Sequence, residues 1–248
     1  MKIYLVTSNE YTHICPVNVH FLNKFWPGQD IVILGYENVQ KLKELPSNVT
    51  VEYLGPQESF GNAWTTGLIP YFESVKDEYF VVLIEDLIPL NTVEKEKMDL
   101  LEECMLHHDA DKAVIGGGLP LSKSTTFRPG VLQFDQGIPY RTTLHPSIWK
   151  RDYFLRYLKP GLTAWQFELE NNHEAAYDGA RIIALDYRYP EQRHIFSALN
   201  VYSKGKLVID SDGNVLDNQP SHRFWSKEDV QYVWQAIDKS RKQRGEEP

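Results

Sequence analysis

Short apolar runs alternate with longer amphipathic segments along the first half of the chain. The apolar runs are rich in Val, Ile and Tyr. This alternation is typical of an α/β protein, in which central strands are covered on both faces and helices bury one face. It predicts helices at residues 17–25, 62–75 and 92–108, and strands at residues 2–8, 30–36, 48–55, 79–84 and 112–118.

The pattern is less regular after Gly118. We expect a helix over 145–158 that opens with Pro146 and Ser147, and another over 162–177 capped by Thr163. Three further elements are predicted: a strand at 180–190, a small antiparallel excursion at 202–217 with turns at Lys204-Gly205 and Asp212-Gly213, and a last helix at 226–242 that begins with a capping box, Ser226 and Asp229.

No repeat, low-complexity tract or linker divides the 248 residues. The expected fold is therefore α/β, a single domain over 1–248 with a Rossmann-like mixed central sheet flanked by helices.

Composition and charge narrow the classes of partner. The net charge of -8 offers no clustered basic face for nucleic acid or an anionic membrane. No apolar run is long enough for a membrane span or a secretory signal, so we expect a cytoplasmic protein. The two cysteines, Cys15 and Cys104, lack metal-binding spacing and are expected to be reduced structural thiols.

Two adjacent carboxylates, Glu85 and Asp86, end the most apolar predicted strand. Ligands of open α/β sheets bind beyond the carboxyl ends of the strands, which makes both acids candidates for chemistry. Neighbours on an extended chain point to opposite sides, so only one should face the ligand crevice. A short carboxylate such as Asp86 suits Mn²⁺ or Mg²⁺ bridging nucleotide phosphates. The alternative is that one acid caps the next helix and the other is solvated.

A second candidate is the stretch AWQFELE, residues 164–170. On a helix, Trp165 and Glu168 share a face, which Asn172 extends by one turn. An aromatic ring packs against the C–H face of a sugar, while a carboxylate or amide bonds its hydroxyls, so this face suits a saccharide. The alternative is a core tryptophan beside a solvent-facing glutamate.

These motifs together resemble a known family. The first strand with its polar end, the tryptophan of KFWPGQDIVIL, the segment EYFVVLIEDLIPL and the later W-x-F-E are similar to nucleotide-sugar-dependent glycosyltransferases of the GT-A type, including bacterial and phage glycosyltransferase-like proteins. The likeness spans residues 1 to 195. It implies a nucleotide-binding half at 1–118 and an acceptor half with the C-terminal helix at 119–248.

The resemblance also implies roles for individual residues. The nucleoside pocket would be lined by Thr7, Ser8 and Asn9, and Asp86 would hold the metal and the diphosphate. Glu168 would act as general base toward an acceptor bound by Trp165 and Asn172. The metal implied is Mn²⁺ or Mg²⁺, and the partners are a nucleotide-sugar donor and a saccharide or other hydroxyl acceptor.

One departure from the family pattern concerns the metal. Leu87 follows Asp86, so the second acid of the Asp-x-Asp motif is absent. A cation can neutralise the departing diphosphate instead. Arg193 is the candidate for that charge and His194 for a further metal ligand; the alternative is a surface arginine beside a hydrogen-bonded histidine.

Two functions from different classes follow. The first is a glycosyltransferase that moves a sugar to an acceptor hydroxyl with the help of a divalent metal. The second is a catalytically degenerate relative that keeps the fold as a binding or scaffold protein, which the missing acid makes plausible.

Overall fold

A mixed β-sheet forms the centre of the protein. The computed structural model describes residues 1–60, 63–117, 119–188, 195–203, 206–209, 212 and 226–243. Within these residues one sheet has nine strands in the order β3-β2-β1-β4-β9-β6-β10-β8-β7. Its strands are β1 (Ile3–Val6), β2 (Ile31–Gly35), β3 (Val49–Tyr53), β4 (Tyr79–Ile84), β6 (Lys112–Val114), β7 (Ser124–Arg128), β8 (Val131–Phe134), β9 (Ser147–Lys150) and β10 (Ile182–Leu185).

The direction of the strands changes in the second half of the sheet. Strands β1 to β4 are parallel to one another, whereas β9 is antiparallel to both of its neighbours, β4 and β6. Strand β10 is parallel to β6 and antiparallel to β8, which pairs with β7 as a hairpin. The predicted mixed α/β sheet flanked by helices is thereby confirmed.

Helices cover both faces of the sheet. The helices are α1 (Cys15–Phe25), α2 (Trp64–Ser74), α3 (Lys95–His107), α4 (Arg151–Tyr157), α5 (Ala164–Glu170), α6 (Asn172–Ala175) and α7 (Lys227–Gln243). Alternate residues of each central strand join different cores: Ile3 and Leu5 pack with α1 and α3, whereas Tyr4 and Val6 pack with α2, α4 and α5. This period of two is why the strands are apolar throughout.

A smaller layer lies outside α1. Strands β5 (Leu87–Pro89) and β11 (Ala198–Asn200) pair antiparallel, as do β12 (Tyr202–Ser203) and β13 (Lys206–Leu207). The latter pair confirms antiparallel pairing within the expected excursion, whereas both predicted turns, Lys204-Gly205 and Asp212-Gly213, include residues outside the described ones. Helix α7 packs on α1 through a third apolar cluster and an ion pair between Lys24 and Asp229 at 2.5 Å. Ser226 Oγ accepts the backbone N–H of Asp229 as an N-cap.

The predicted helix over 145–158 is wrong in its first third. Residues 147–150 form strand β9, and α4 begins only at Arg151. The reason is tertiary: Ile148 and Trp149 are fully buried between β4 and β6, where an extended segment completes both ladders. A proline and a serine before an apolar run also open strands, so local signals favoured the helix incorrectly.

The hairpin β7–β8 was not anticipated, because the pattern after Gly118 is irregular. Its strand β7 has half-buried and exposed positions and contains a register shift between Thr126 and Arg128. An edge strand of this kind lacks the unbroken apolarity of the central strands. Among the described residues, no helix is long and apolar enough to cross a membrane.

Gly35 at the end of β2 packs closely against Thr7, which follows β1, and against Val39, which follows β2. A Cβ at this position would overlap the Val39 side chain and approach Thr7 Cγ2 to 2.9 Å. We therefore expect Gly35→Ala to lower the free energy of unfolding by roughly 1–3 kcal/mol, the usual cost of overpacking. Urea unfolding measures the change. Ser59→Ala, on an exposed residue of a neighbouring loop, should stay within about 0.5 kcal/mol of the parent. Equal stability of the two variants would contradict the prediction.

Candidate functional site

Several candidate residues come to one edge of the sheet. Val6 at the end of β1 lies beside Ile84 at the end of β4, so residues 7–9 and 85–86 leave the sheet together. Strand β9 runs in the opposite direction, with Ser147 beside Val82. The segment 141–146 therefore reaches β9 across the same edge, where the parallel strands end.

Glu85 and Asp86 form the turn between β4 and β5, and buried hydrogen bonds fix its backbone. Asn18 on α1 is fully buried, and its Nδ2 donates to Glu85 O and Leu87 O, both at 3.0 Å. The backbone N–H of Val201 donates to Asp86 O at 3.0 Å. Three consecutive carbonyls are thus held from outside the turn, which fixes the direction in which the Asp86 side chain leaves the backbone.

The two acids face different surroundings, as their adjacency predicted. Glu85 is buried on the α1 side, where burial and the charge of Asp86 raise its pKa well above the usual range and Glu10 adds to the effect. The Cys15 thiol lies on the same side, and burial and Glu85 raise its pKa. Neither acid caps a helix, since α3 begins at Lys95, and Glu85 is not solvated.

Asp86 lies within range of the charge of Glu168. Burial raises the pKa of Asp86 to about 6; a backbone hydrogen bond opposes the shift and the negative charge of Glu168 adds to it. The Oδ1 of Asp86 is buried and accepts no hydrogen bond from the described residues. A buried carboxylate oxygen without a donor is costly. The described residues therefore leave the hydrogen-bonding capacity of Asp86 Oδ1 unused.

Glu168 is held by one of its two carboxylate oxygens. Its Oε1 accepts the Thr143 hydroxyl at 2.9 Å and the Leu144 N–H at 2.6 Å, and its carbonyl accepts the Thr142 hydroxyl at 3.1 Å. Among the described residues no donor reaches Oε2. Thr163 caps α5 as predicted, and its reciprocal hydrogen bonds with Gln166 form a capping box that starts the helix carrying Glu168.

Two other residues of α5 are exposed. Trp165 is 69% exposed, and Leu169, one turn further along α5, is 44% exposed. Trp165 is therefore not the core tryptophan of the alternative interpretation. Asn172 begins α6 and is half-buried, with its Oδ1 buried and unbonded within the described residues.

The residues expected at the nucleoside end lie at the end of β1. Thr7 is buried, and its hydroxyl donates to Ser8 O. Asn9 is engaged on both sides: its Nδ2 donates to Glu37 and its Oδ1 accepts the Asn38 N–H at 2.9 Å. The side chain of Asn9 thus ties the end of β1 to the start of the segment after β2.

Sequence reasoning missed two residues near Glu168. His145 has an exposed surface, and desolvation by the surrounding protein lowers its pKa; the charge of Glu168 opposes the shift and Lys112 adds to it. Lys112, at the start of β6, is fully buried, and burial lowers its pKa well below the usual range. A lysine inside an apolar strand pattern was the available signal for it.

The fit of a divalent metal rests on Asp86. Within the described residues no group of three or more His, Cys, Asp or Glu side chains is arranged to hold a metal ion. Mg²⁺ typically takes only one or two protein carboxylates and completes its shell with water and phosphate oxygens. The buried, unbonded Oδ1 of Asp86 fits that use. Arg193 and His194, the other candidates for this end of the site, lie outside the described residues.

No family model and no curated protein matches the sequence. Solved structures with a similar fold include UDP-glucose pyrophosphorylase complexed with UDP-glucose, with a TM-score of 0.49, 10% identity, and 97% of this chain and 100% of that chain covered. The galactosyltransferase LgtC, in complex with donor and acceptor sugar analogues, has a TM-score of 0.39 and 11% identity over 71% of this chain and 66% of that chain.

A third similar structure is the bifunctional IspDF from Campylobacter jejuni, with a TM-score of 0.42 and 16% identity. The match covers 81% of this chain and 52% of IspDF, so the chain spans about half the length of that enzyme. The first of these similar structures is named as a pyrophosphorylase complexed with UDP-glucose, and the second as a galactosyltransferase complexed with donor and acceptor sugar analogues. At these identities the likeness concerns the fold alone.

The raised pKa of Asp86 predicts how stability depends on pH. The folded pKa, about 6, lies above the ordinary value of 3.8, so the folded protein binds more protons between these pH values than the unfolded chain. The free energy of unfolding therefore falls as the pH rises through this window. We expect Asp86→Asn to be more stable than the parent by roughly 1–3 kcal/mol at pH 8 and to lose this advantage below about pH 4.

Urea unfolding at pH 4, 6 and 8 measures this difference, and Asp77→Asn is the control with the opposite sign. Although burial opposes it, hydrogen bonds from Lys2 and Tyr4 lower the pKa of Asp77. That variant should therefore be less stable than the parent at pH 8. A loss of stability in Asp86→Asn at pH 8 would show that the Asp86 charge is favourably paired, contrary to the prediction.

Proposed function

We propose that the protein is a glycosyltransferase that moves a sugar from a nucleoside diphosphate sugar to an acceptor hydroxyl. The observation that carries the proposal is the convergence of Asp86 and Glu168 where the parallel strands end. The two residues are 82 positions apart in sequence, yet the charge of Glu168 contributes to the raised pKa of Asp86. Oδ1 of Asp86 and Oε2 of Glu168 accept no hydrogen bond from the described residues, which supports a role for both in contacting a ligand.

In the proposed reaction the acceptor hydroxyl attacks the anomeric carbon of the donor sugar. Its proton passes to Oε2 of Glu168, the bond from the anomeric carbon to the diphosphate oxygen breaks, and the nucleoside diphosphate leaves with that electron pair. Thr143 and Leu144 hold Oε1, so the orientation of Oε2 is set before the substrate arrives. Preset geometry of this kind is how a general base gains efficiency.

The donor would lie across the ends of β1 and β4. Thr7, Ser8 and Asn9 would form the nucleoside end, and Asp86 would face the diphosphate. A divalent ion, Mn²⁺ or Mg²⁺, would supply positive charge for the leaving diphosphate when bound at Asp86. Arg193 and His194 remain proposals for additional charge and ligation at this end.

The acceptor would lie over α5. Trp165 offers a flat exposed ring one helical turn from Glu168, and Leu169 extends the apolar surface. Such a surface packs against the C–H face of a sugar ring. We therefore propose a saccharide acceptor, with Trp165 and Asn172 on its side of the site.

The donor site can be tested by thermal unfolding with UDP, GDP, CDP and dTDP, each with and without Mn²⁺. A nucleotide at about one hundred times its dissociation constant adds about 2.7 kcal/mol, or roughly 5–10 °C for a chain of this size. We expect one nucleotide to produce this shift in the parent only with Mn²⁺. Asp86→Asn should abolish the shift.

Asp152→Asn, an exposed acid at the start of α4, is the matched control and should keep the full shift. No shift with any nucleotide, from a protein that unfolds cooperatively, would contradict the donor site. That result would favour the second function, a scaffold that retains the fold without catalysis.

The base can be tested separately with Glu168→Gln. Glutamine keeps an oxygen for Thr143 and Leu144 but cannot take up the acceptor proton, so we expect kcat to fall roughly 10²–10⁴-fold. The nucleotide-induced rise in unfolding temperature should be unchanged, because binding of the donor does not require the Glu168 carboxylate. Initial rates of sugar transfer provide the measurement.

Glu170→Gln is the control for this variant, since Glu170 is exposed on the same helix. It should retain the parental rate. A Glu168→Gln variant with full activity would exclude Glu168 as the base while leaving the donor site intact.

A further inference from the structure

Lys112 is a buried lysine that the proposed reaction does not use. Its Nζ donates to the carbonyls of Thr143 at 2.6 Å and Arg141 at 3.2 Å, and it lies 3.9 Å from the centre of the Trp149 ring. The residue is fully buried at the start of β6, in the interior of the sheet. Both of its hydrogen-bond acceptors are neutral carbonyl oxygens. Burying a lysine that gains two hydrogen bonds to carbonyls costs stability. Its presence therefore calls for a role other than packing.

The carbonyls that Lys112 binds belong to the segment that holds Glu168. Lys112 Nζ contacts the backbone of Thr143, whose hydroxyl donates to Oε1 of Glu168, and the next residue, Leu144, donates its N–H to the same oxygen. A short chain of contacts therefore leads from the rigid strand β6 to the carboxylate. We propose that Lys112 is the positioning residue that fixes the 141–144 segment and, through it, the orientation of Glu168.

The other end of this segment has an additional anchor in the Arg141 side chain. Arg141 is fully buried and donates to Asp178 at 3.2 Å and to Ala180 O at 2.7 Å. Its contacts lie on the side of β10 and leave Thr143 untouched. Among the described residues, Lys112 is therefore the one whose side chain binds the Thr143 carbonyl, next to the groups that hold Glu168. The charged and titratable groups around Lys112 are Glu168, Arg141 and His145.

The effect of Lys112 on catalysis rests on the proposed function. Its effect on the position of Glu168 can be measured without substrate. The amide of Leu144 reports on the bond to Glu168, and the amide of Val81, bonded to Lys2 O at 3.0 Å in the sheet, reports on global unfolding. Amide hydrogen exchange by NMR gives both rates in one sample. Their ratio removes any general loss of stability.

The first variant is Lys112→Met, which keeps the length of the side chain and removes its donors. We expect the exchange rate of Leu144 relative to Val81 to rise about tenfold, the factor for loss of one ordinary hydrogen bond. Tyr4→Phe is the matched control: Tyr4 is buried and donates to Asp77 at 3.0 Å, but it stands at the start of β1. Its ratio should stay at the parental value.

Thr143→Val is the second variant, because it interrupts the contact chain while leaving Lys112 in place. It should raise the same ratio, and the double variant Lys112→Met/Thr143→Val should be no worse than the more severe single variant. An unchanged ratio in both single variants, or effects that multiply in the double variant, would overturn the proposal.

Initial rates of sugar transfer complete the test. The donor is the nucleotide sugar whose nucleotide raises the unfolding temperature. We expect kcat of Lys112→Met to fall on the order of 100-fold, as for a displaced catalytic group, at an unchanged KM for the donor. A parent protein without transfer activity would contradict the proposed function, while the exchange ratio would still decide the role of Lys112. A raised donor KM at unchanged kcat would overturn the catalytic part of the proposal.

Discussion

The antiparallel insertion of β9 between β4 and β6 is the constraint on which the site depends. Parallel strands alone would bring only loops that follow their carboxyl ends to this edge. Because β9 runs the other way, the segment that precedes it must cross the same edge. That segment carries Thr143 and Leu144, which hold Glu168. The topology of one short strand thus brings an acid from α5 to the acid that ends β4.

The site brings together carboxyl groups whose negative charge the surrounding protein does not compensate. Burial and neighbouring charge raise the pKa of both Glu85 and Asp86, and no donor from the described residues satisfies Asp86 Oδ1. Such an arrangement lowers the stability of the unliganded protein. The structure tolerates it because Asn18 and Val201 hold the backbone of the turn through neutral hydrogen bonds. The contacts that stabilise the backbone of this turn are therefore separate from the side chains that carry its charge.

The amino-acid sequence predicted those parts of the structure that depend on local pattern. Strands β1, β2 and β4 are apolar because both of their faces are buried, and α5 has a capping box that its sequence displays. Asp86 was predicted because it ends a central strand. Glu168 was predicted from the aromatic residue beside it and from a family resemblance, whereas its actual contacts, to Thr143 and Leu144, could not be inferred from spacing.

The parts that were not predicted depend on tertiary neighbours. Residues 147–150 become a strand because two open ladders flank them, and no local signal distinguishes this segment from the first turns of a helix. Lys112 illustrates the same limit. A lysine at the start of a strand is ordinarily exposed, whereas the segment above β6 and the Trp149 ring enclose this one. The antiparallel strand that places Glu168 opposite Asp86 therefore also buries the lysine beneath it, so positioning and catalysis would have a common topological origin.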